Sequence, residues 1–281
     1  MKYVLSFLVM FASTWASASS FMPENTLHLY PPETESSMTE EEFSKIIDDI
    51  MAVYVPEAKK FGYNLIVDKL WKNNTVNAYA SEYGTTWKVA MFGGLARRPE
   101  VTADGFALVV CHELGHHMGG YPAYPGEWAS SEGNSDYWAT QACARRVWGN
   151  SASKQLNEEA VDSVDHFAKA KCDQAWSLQG DRSLCYRIAN ASHGLAKLLG
   201  GGTTPEFNTP DTTVVRSTYF KHPNGQCRLD TYFAGGLCLT KHRNNFIPGR
   251  WNPNGQDGVL AQNESLGNSC GNRPKCWFKA L

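Results

Sequence analysis

Phe106-Ala107-Leu108-Val109-Val110-Cys111-His112-Glu113-Leu114-Gly115-His116-His117 is the stretch on which the rest of the chain turns. Its first five residues are apolar enough to bury a helix. The next ones contain H-E-x-x-H. On a helix, residues i and i+4 share one face, about 6 Å apart along the axis. His112 and His116 therefore present two imidazoles that can grip one zinc ion. Glu113, beside the first histidine, lies where it can take a proton from metal-bound water. His117 points about 100° away from His116 and reads as a surface or outlying residue.

Zinc needs a third protein ligand and an open position for catalysis. Pro122 stands where a third histidine of the H-E-x-x-H-x-x-G-x-x-H pattern would fall, and proline cannot ligate. Downstream, Glu132-Gly133-Asn134-Ser135-Asp136 is E-x-x-x-D at a predicted helix start. Glu132 can reach the metal, and Asp136 can accept the second ring proton of a ligating histidine. Exchanged roles, with Asp136 as ligand, or an acidic cluster that only favours the helix dipole, stay open at this point.

The surrounding pattern predicts an alternation of helices and a few strands. Thr39 and Glu42 form a capping box, and apolar residues from Phe43 to Tyr54 follow helical spacing up to Pro56, which should end that helix. Strand-like runs follow at Tyr63–Val67, Thr75–Ala80 and Thr86–Phe92. Helices are predicted over Thr102–His117, Glu132 to about Val147, Asn157–Lys171, Ser183–Leu199 and Gln226–Ala234. Residues 19–37 read as irregular, and Gly200–Thr213 reads as a loop that could cover a site.

Composition narrows the class. Of 281 residues, 42% are hydrophobic and the formal net charge is -2, so a general nucleic-acid binder is disfavoured. After the first dozen residues no apolar run approaches the ~18–20 needed to span a bilayer. Met1-Lys2-Tyr3, the run Val4 to Ala12, and Ala16-Ser17-Ala18 read as a signal peptide cut after Ala18. The eight cysteines, with no C-x-x-C pair, favour disulfides in an exported chain. Cys227 and Cys238 flank the last predicted helix. About 16 Å of helix would separate them, so each needs another partner, against a limit of about 7 Å between Cα atoms.

Asn77-Ala78-Tyr79-Ala80, Glu132 to Asp136, and His222-Pro223 with Arg228 six residues after the histidine stand in order around H-E-x-x-H. This set resembles the gluzincin metallopeptidases of the heat-shock protease HtpX and the CAAX prenyl protease, over roughly residues 40–236. The chain lacks their transmembrane helices and is similar to their small exported relatives. The resemblance implies an α+β, zincin-like fold: a small, mostly antiparallel sheet packed on a helical subdomain that carries the H-E-x-x-H helix. It implies one zinc per chain held by His112, His116 and Glu132, with Glu113 as base and His222 stabilising an oxyanion. Asp136 and Arg228 would be supports, Arg228 bracing Glu132 or the substrate backbone. Asn77, Ala78 and Tyr79 would dock an extended polypeptide substrate on an edge strand.

The expected organisation is a signal peptide over 1–18, a catalytic domain over 19–240 and a cysteine-containing tail over 241–281. The expected activity is that of a periplasmic or extracellular zinc endopeptidase. Its rivals are a non-catalytic binding protein on the zinc fold and a zinc hydrolase of a non-peptide envelope substrate.

Overall fold

The computed structural model describes residues 18–149, 161–239 and 272–279. The expected signal peptide, apart from Ala18, lies outside them, as do Cys270 and most of the tail. Among the described residues no helix is long and apolar enough to cross a membrane.

The architecture is α+β. Strands β1 (Ala18–Ser20), β2 (Asn64–Leu70), β3 (Ala78–Tyr83) and β4 (Thr86–Phe92) form one sheet in the order β1-β3-β4-β2. β1–β3 and β3–β4 are antiparallel, while β2 and β4 run parallel from Asn64↔Thr86 to Leu70↔Phe92. The sheet is therefore mixed. Two corrections follow for the strand that was expected to be a free edge. β3 has a neighbour on both sides, and its outer side is taken by residues 18–20, which sequence reading left irregular.

The helices among the described residues include α1 (Glu40–Lys60), the single turn α2 (Gly93–Ala96), α3 (Ala103–Met118), α4 (Glu132–Trp138), α5 (Arg145–Gly149), α6 (His166–Ala175), α7 (Gln179–Leu199) and α8 (Gly225–Leu237), with a 3-10 turn at Leu27–Leu29. A π-helical segment, Ala139–Ala144, joins α4 to α5. α3 begins at the Thr102 cap, whose hydroxyl accepts from Gly105 N–H at 3.0 Å. From Gly105 to Met118 every residue of α3 is buried, which makes it the central rod of the molecule. A helix apolar on all sides belongs in such a place. Alternate residues of β4, Trp87, Val89 and Met91, face the same core, and α1 covers it with Phe43, Ile47, Ile50 and Tyr54.

α1 does not stop at Pro56 but continues to Lys60. An interior proline costs about 3 kcal/mol. Here its ring is exposed, while buried residues on both sides, Met51 and Tyr54 before it and Glu57 and Ala58 after, hold the two halves in line. The helix expected over Asn157–Lys171 is also different. Residues 157–160 lie outside the description, and the chain breaks at Ser163–Asp165, where Asp165 accepts from Ala168 N–H at 3.0 Å and starts α6.

Among the described residues, disulfides join Cys111–Cys143 and Cys172–Cys185 between helical segments, and Cys227–Cys276 joins α8 to residues 272–279. Cys238 is disulfide-bonded as well, so it and Cys227 do take separate partners. Residues 272–279 pack into the body of the fold. Trp277 is buried, its ring carbons occupy the space a Cβ on Gly133 would need, and its indole N–H donates to Thr231 Oγ1 at 3.0 Å. In the 200–213 loop, Phe207 joins a second core with α7 and α8, and Asp211 N–H donates to Asp230 Oδ2 at 2.7 Å.

Cys111–Cys143 links α3 to the π-helical segment across 32 residues of sequence. Closing a loop of that size in the unfolded chain is worth about 3–4 kcal/mol. The double variant Cys111→Ala/Cys143→Ala is expected to lose that much in a urea unfolding series, with a higher m-value because the freed unfolded chain exposes more surface; a loss under about 1 kcal/mol would count against the clamp.

Candidate metal centre

α3 and α4 meet at Gly115. A Cβ there would lie 2.9 Å from Ser135 Cα and 3.0 Å from its carbonyl oxygen, so the absent side chain lets the two helices touch. The loop between them is short and tied at both ends: Ser130 N–H donates to His116 O and Ser131 N–H to Pro122 O, each at 2.9 Å. Ser131 then caps α4 through Asn134 N–H at 3.4 Å, which sets Glu132 on the first turn, facing α3.

His112, His116 and Glu132 come together, all buried, with ligand-capable atoms within 4.8 Å of one another. The hydrogen bonds fix the state of each ring. His112 Nδ1–H donates to Asp136 Oδ1 at 2.7 Å, and His116 Nδ1–H donates to the Ser130 carbonyl at 2.8 Å. With its proton on Nδ1, each imidazole in its neutral, metal-binding form turns an Nε2 lone pair inward. Those two Nε2 atoms lie 3.1 Å apart, and Glu132 Oε2 lies 3.2 Å from that of His112 with no hydrogen-bond donor of its own. Two lone pairs and a carboxylate oxygen pointed at one small buried space repel each other. A cation between them removes that repulsion, so the donor set fits a metal ion. Asp136 holds the outer nitrogen of His112, and the exchange of roles between Glu132 and Asp136 is not what the fold adopts.

The electrostatics agree. Burial alone would lower the His112 pKa, but Asp136 and Glu132 hold it up to about 9. Without a metal, those carboxylates draw a proton to the spot a cation would fill. Burial likewise favours a protonated Glu132, yet His116, His112 and His222 keep it far below the ordinary carboxylate range. His116 is pushed down to about 4, chiefly by burial.

Glu113 is fully buried next to this cluster, and neither carboxylate oxygen has a hydrogen-bond partner among the described residues. Burial pushes its pKa up to about 8. An acid held near neutrality in a dry site is suited to proton transfer.

Arg228, on the first turns of α8, is also buried. Its expected partner was Glu132 or a peptide backbone. The structure gives it Asp136: Nε donates to Oδ2 and Nη2 to Oδ1, both at 2.7 Å. This fork fixes the carboxylate that fixes His112. The third nitrogen, Nη1, does reach a backbone, donating to the Phe21 carbonyl at 2.5 Å. His222, only part-buried, lies with Nε2 3.5 Å from Glu132 Oε2 and donates to the Ser20 carbonyl at 2.7 Å.

Asn77, Ala78 and Tyr79 lie on or next to β3, within reach of the same backbone. His117 is not at the surface. It is buried between Trp87 and Trp128, with ring centroids 5.0 and 4.6 Å away and planes 21° apart in both cases. Burial pushes its pKa down to about 3. As expected from the helix geometry, it takes no part in the ligand set.

Two contacts escaped sequence reading. Tyr124 O–H donates to Glu132 Oε1 at 3.0 Å, and Ser19 O–H donates to the same oxygen at 2.9 Å. Neither residue sits in a recognisable spacing relative to H-E-x-x-H. No family model, curated protein or solved structure matches the chain, so the centre is read from its own geometry.

Asp136→Asn removes the charge that polarises His112 while keeping its shape. It is expected to weaken divalent-metal affinity about 10–100-fold in a chelator competition, as outer partners of ligating histidines do. An unchanged affinity would mean that Asp136 serves folding alone.

Proposed function

We propose that the chain is an exported zinc endopeptidase of the gluzincin type, with a zincin-like core. The observation that carries this reading is the convergence of two inward Nε2 lone pairs and a donor-free carboxylate oxygen beside an unpartnered, buried Glu113. His112, His116 and Glu132 would hold one zinc, which supplies Lewis acidity to a carbonyl and lowers the pKa of a water.

The chain's own residues do the rest. Glu113 takes a proton from the attacking water and hands it to the leaving amine, and its raised pKa suits both transfers. His222 Nε2–H is a donor aimed at a carbonyl oxygen near Glu132, the place where negative charge would develop. Asp136 keeps His112 in the ligating tautomer, and Arg228 keeps Asp136 in place. The outer hydrogen-bonding row of β3, which β1 now fills, is the one on which an extended peptide would lie. The cysteine pairing supports an oxidising destination, where such bonds persist.

Purified chain should contain about one zinc and cut unfolded casein, while Glu113→Gln keeps the metal and loses about 10²–10⁴-fold in kcat/KM, the contribution of a positioned general acid–base group. Cleavage products are read by mass spectrometry. Equal cutting by the parent and Glu113→Gln would sink the assignment, and turnover of cell-wall fragments in place of casein would turn it toward the envelope-hydrolase alternative.

A further inference from the structure

Residues 18–22 do more than extend the sheet. β1 runs antiparallel to β3, with Ser20 opposite Tyr79. Beyond the strand the pairing continues: Phe21 N–H donates to Ala78 O at 3.0 Å, and Met22 N–H donates to Asn77 Oδ1 at 3.0 Å. Asn77 Nδ2 returns a hydrogen bond to Met22 O, also at 3.0 Å. On the other side, His222 donates to Ser20 O, Arg228 to Phe21 O, and Ser19 donates into Glu132. The Phe21 ring is fully buried, edge-on to His112 at 5.3 Å between centroids and under the Arg228 guanidinium at 4.7 Å.

The two groups that the proposed function sets against a peptide substrate, β3 and His222, are therefore engaged by this segment. A strand serving only to finish a sheet would need the contacts with β3. It would have no reason to send a serine hydroxyl onto a metal-ligand carboxylate or a carbonyl onto His222.

We propose that Ser19–Met22 is a tethered peptide lying in the site in the register of a substrate, so that the folded chain is self-occluded and a peptide must displace it. This rests on the peptidase reading and adds two things to it. The first is a ligand class: an extended segment with a small residue followed by a bulky apolar one, the bond between them set against His222 and Arg228. The pocket beside His112 takes the bulky side chain, as it takes Phe21. The second is regulation by the chain's own N-terminal segment. Cleavage after Ala18, where the signal-peptide pattern places it, would make Ser19 the first residue, so the tether would end at Glu132 and could peel away without dragging a longer chain.

The test uses the full exported chain in a Glu113→Gln background with zinc added, so that binding is read without turnover. The probe is a fluorescent, end-blocked peptide copying residues 18–23, followed by anisotropy. Phe21→Gly, which removes the anchor, is expected to bind the probe at least tenfold more tightly than the parent. A probe in which the phenylalanine is replaced by serine should bind at least tenfold more weakly. Because Phe21→Gly could lose core stability, a second measurement uses the parent chain. Hydrogen exchange of the segment containing the Phe21 and Met22 amides should speed up when saturating probe is added.

Probe binding that leaves those amides protected overturns the proposal, and so does equal binding of the two probes. So does failure of a folded, zinc-containing Phe21→Gly chain to bind the probe. These outcomes are separable from the casein result. Casein cleavage with no displacement keeps the peptidase and removes the tether; displacement without cleavage does the reverse.

Discussion

Two imidazole Nε2 atoms 3.1 Å apart, with a carboxylate oxygen beside them, are an arrangement in a buried space that needs a positive charge, a proton or a cation, between them. The fold is arranged to impose it. Gly115 lets α3 and α4 touch, the Ser130 carbonyl and Asp136 take up the outer nitrogens, and the Arg228 fork pins Asp136. Each of these partners would be an expensive buried polar group if left alone. Together they satisfy one another and leave only the inner atoms unmatched. The mismatch is concentrated at one point, which is how a protein prepares a place for a cation before the cation arrives.

The same chain of contacts runs through three separate parts of the sequence. His112 comes from α3, Asp136 from α4, and Arg228 from α8, with Phe21 at the far end under the guanidinium. The sheet, the central helix and the last helix are thus held by polar contacts at the site as well as by the apolar core around it. A buried ion pair such as Arg228–Asp136 costs several kcal/mol in desolvation for each ion and is a weak source of stability by itself. Its value here is positional, since it decides which way His112 faces.

Local spacing made the ligand helix readable. Thr102, the run to Val110 and the i, i+4 histidines all specify one helix with one functional face, and α3 forms as that pattern requires. Glu132 and Asp136 were readable for the same reason, being one turn apart behind a serine cap. What escaped was non-local. A three-residue strand of Ala-Ser-Ser has no alternation to read, and its partner Ser81 is more than sixty positions away. The parallel pairing of β2 with β4 depends on a crossover that no dipeptide announces. The reach of α1 past Pro56 is set by burial on both sides of the ring, and Tyr124 meets Glu132 only because the loop between the ligand helices folds back.

Trp277 fills the space above Gly133, next to the candidate ligand Glu132, and Cys276 beside it is bonded to Cys227 one residue before Arg228. A chain cut before Trp277 could still hold the two histidines on their helix, but it would lack the side chain packed against the helix of Glu132 and the bond that secures α8. A truncated product would carry the motif without the finished site.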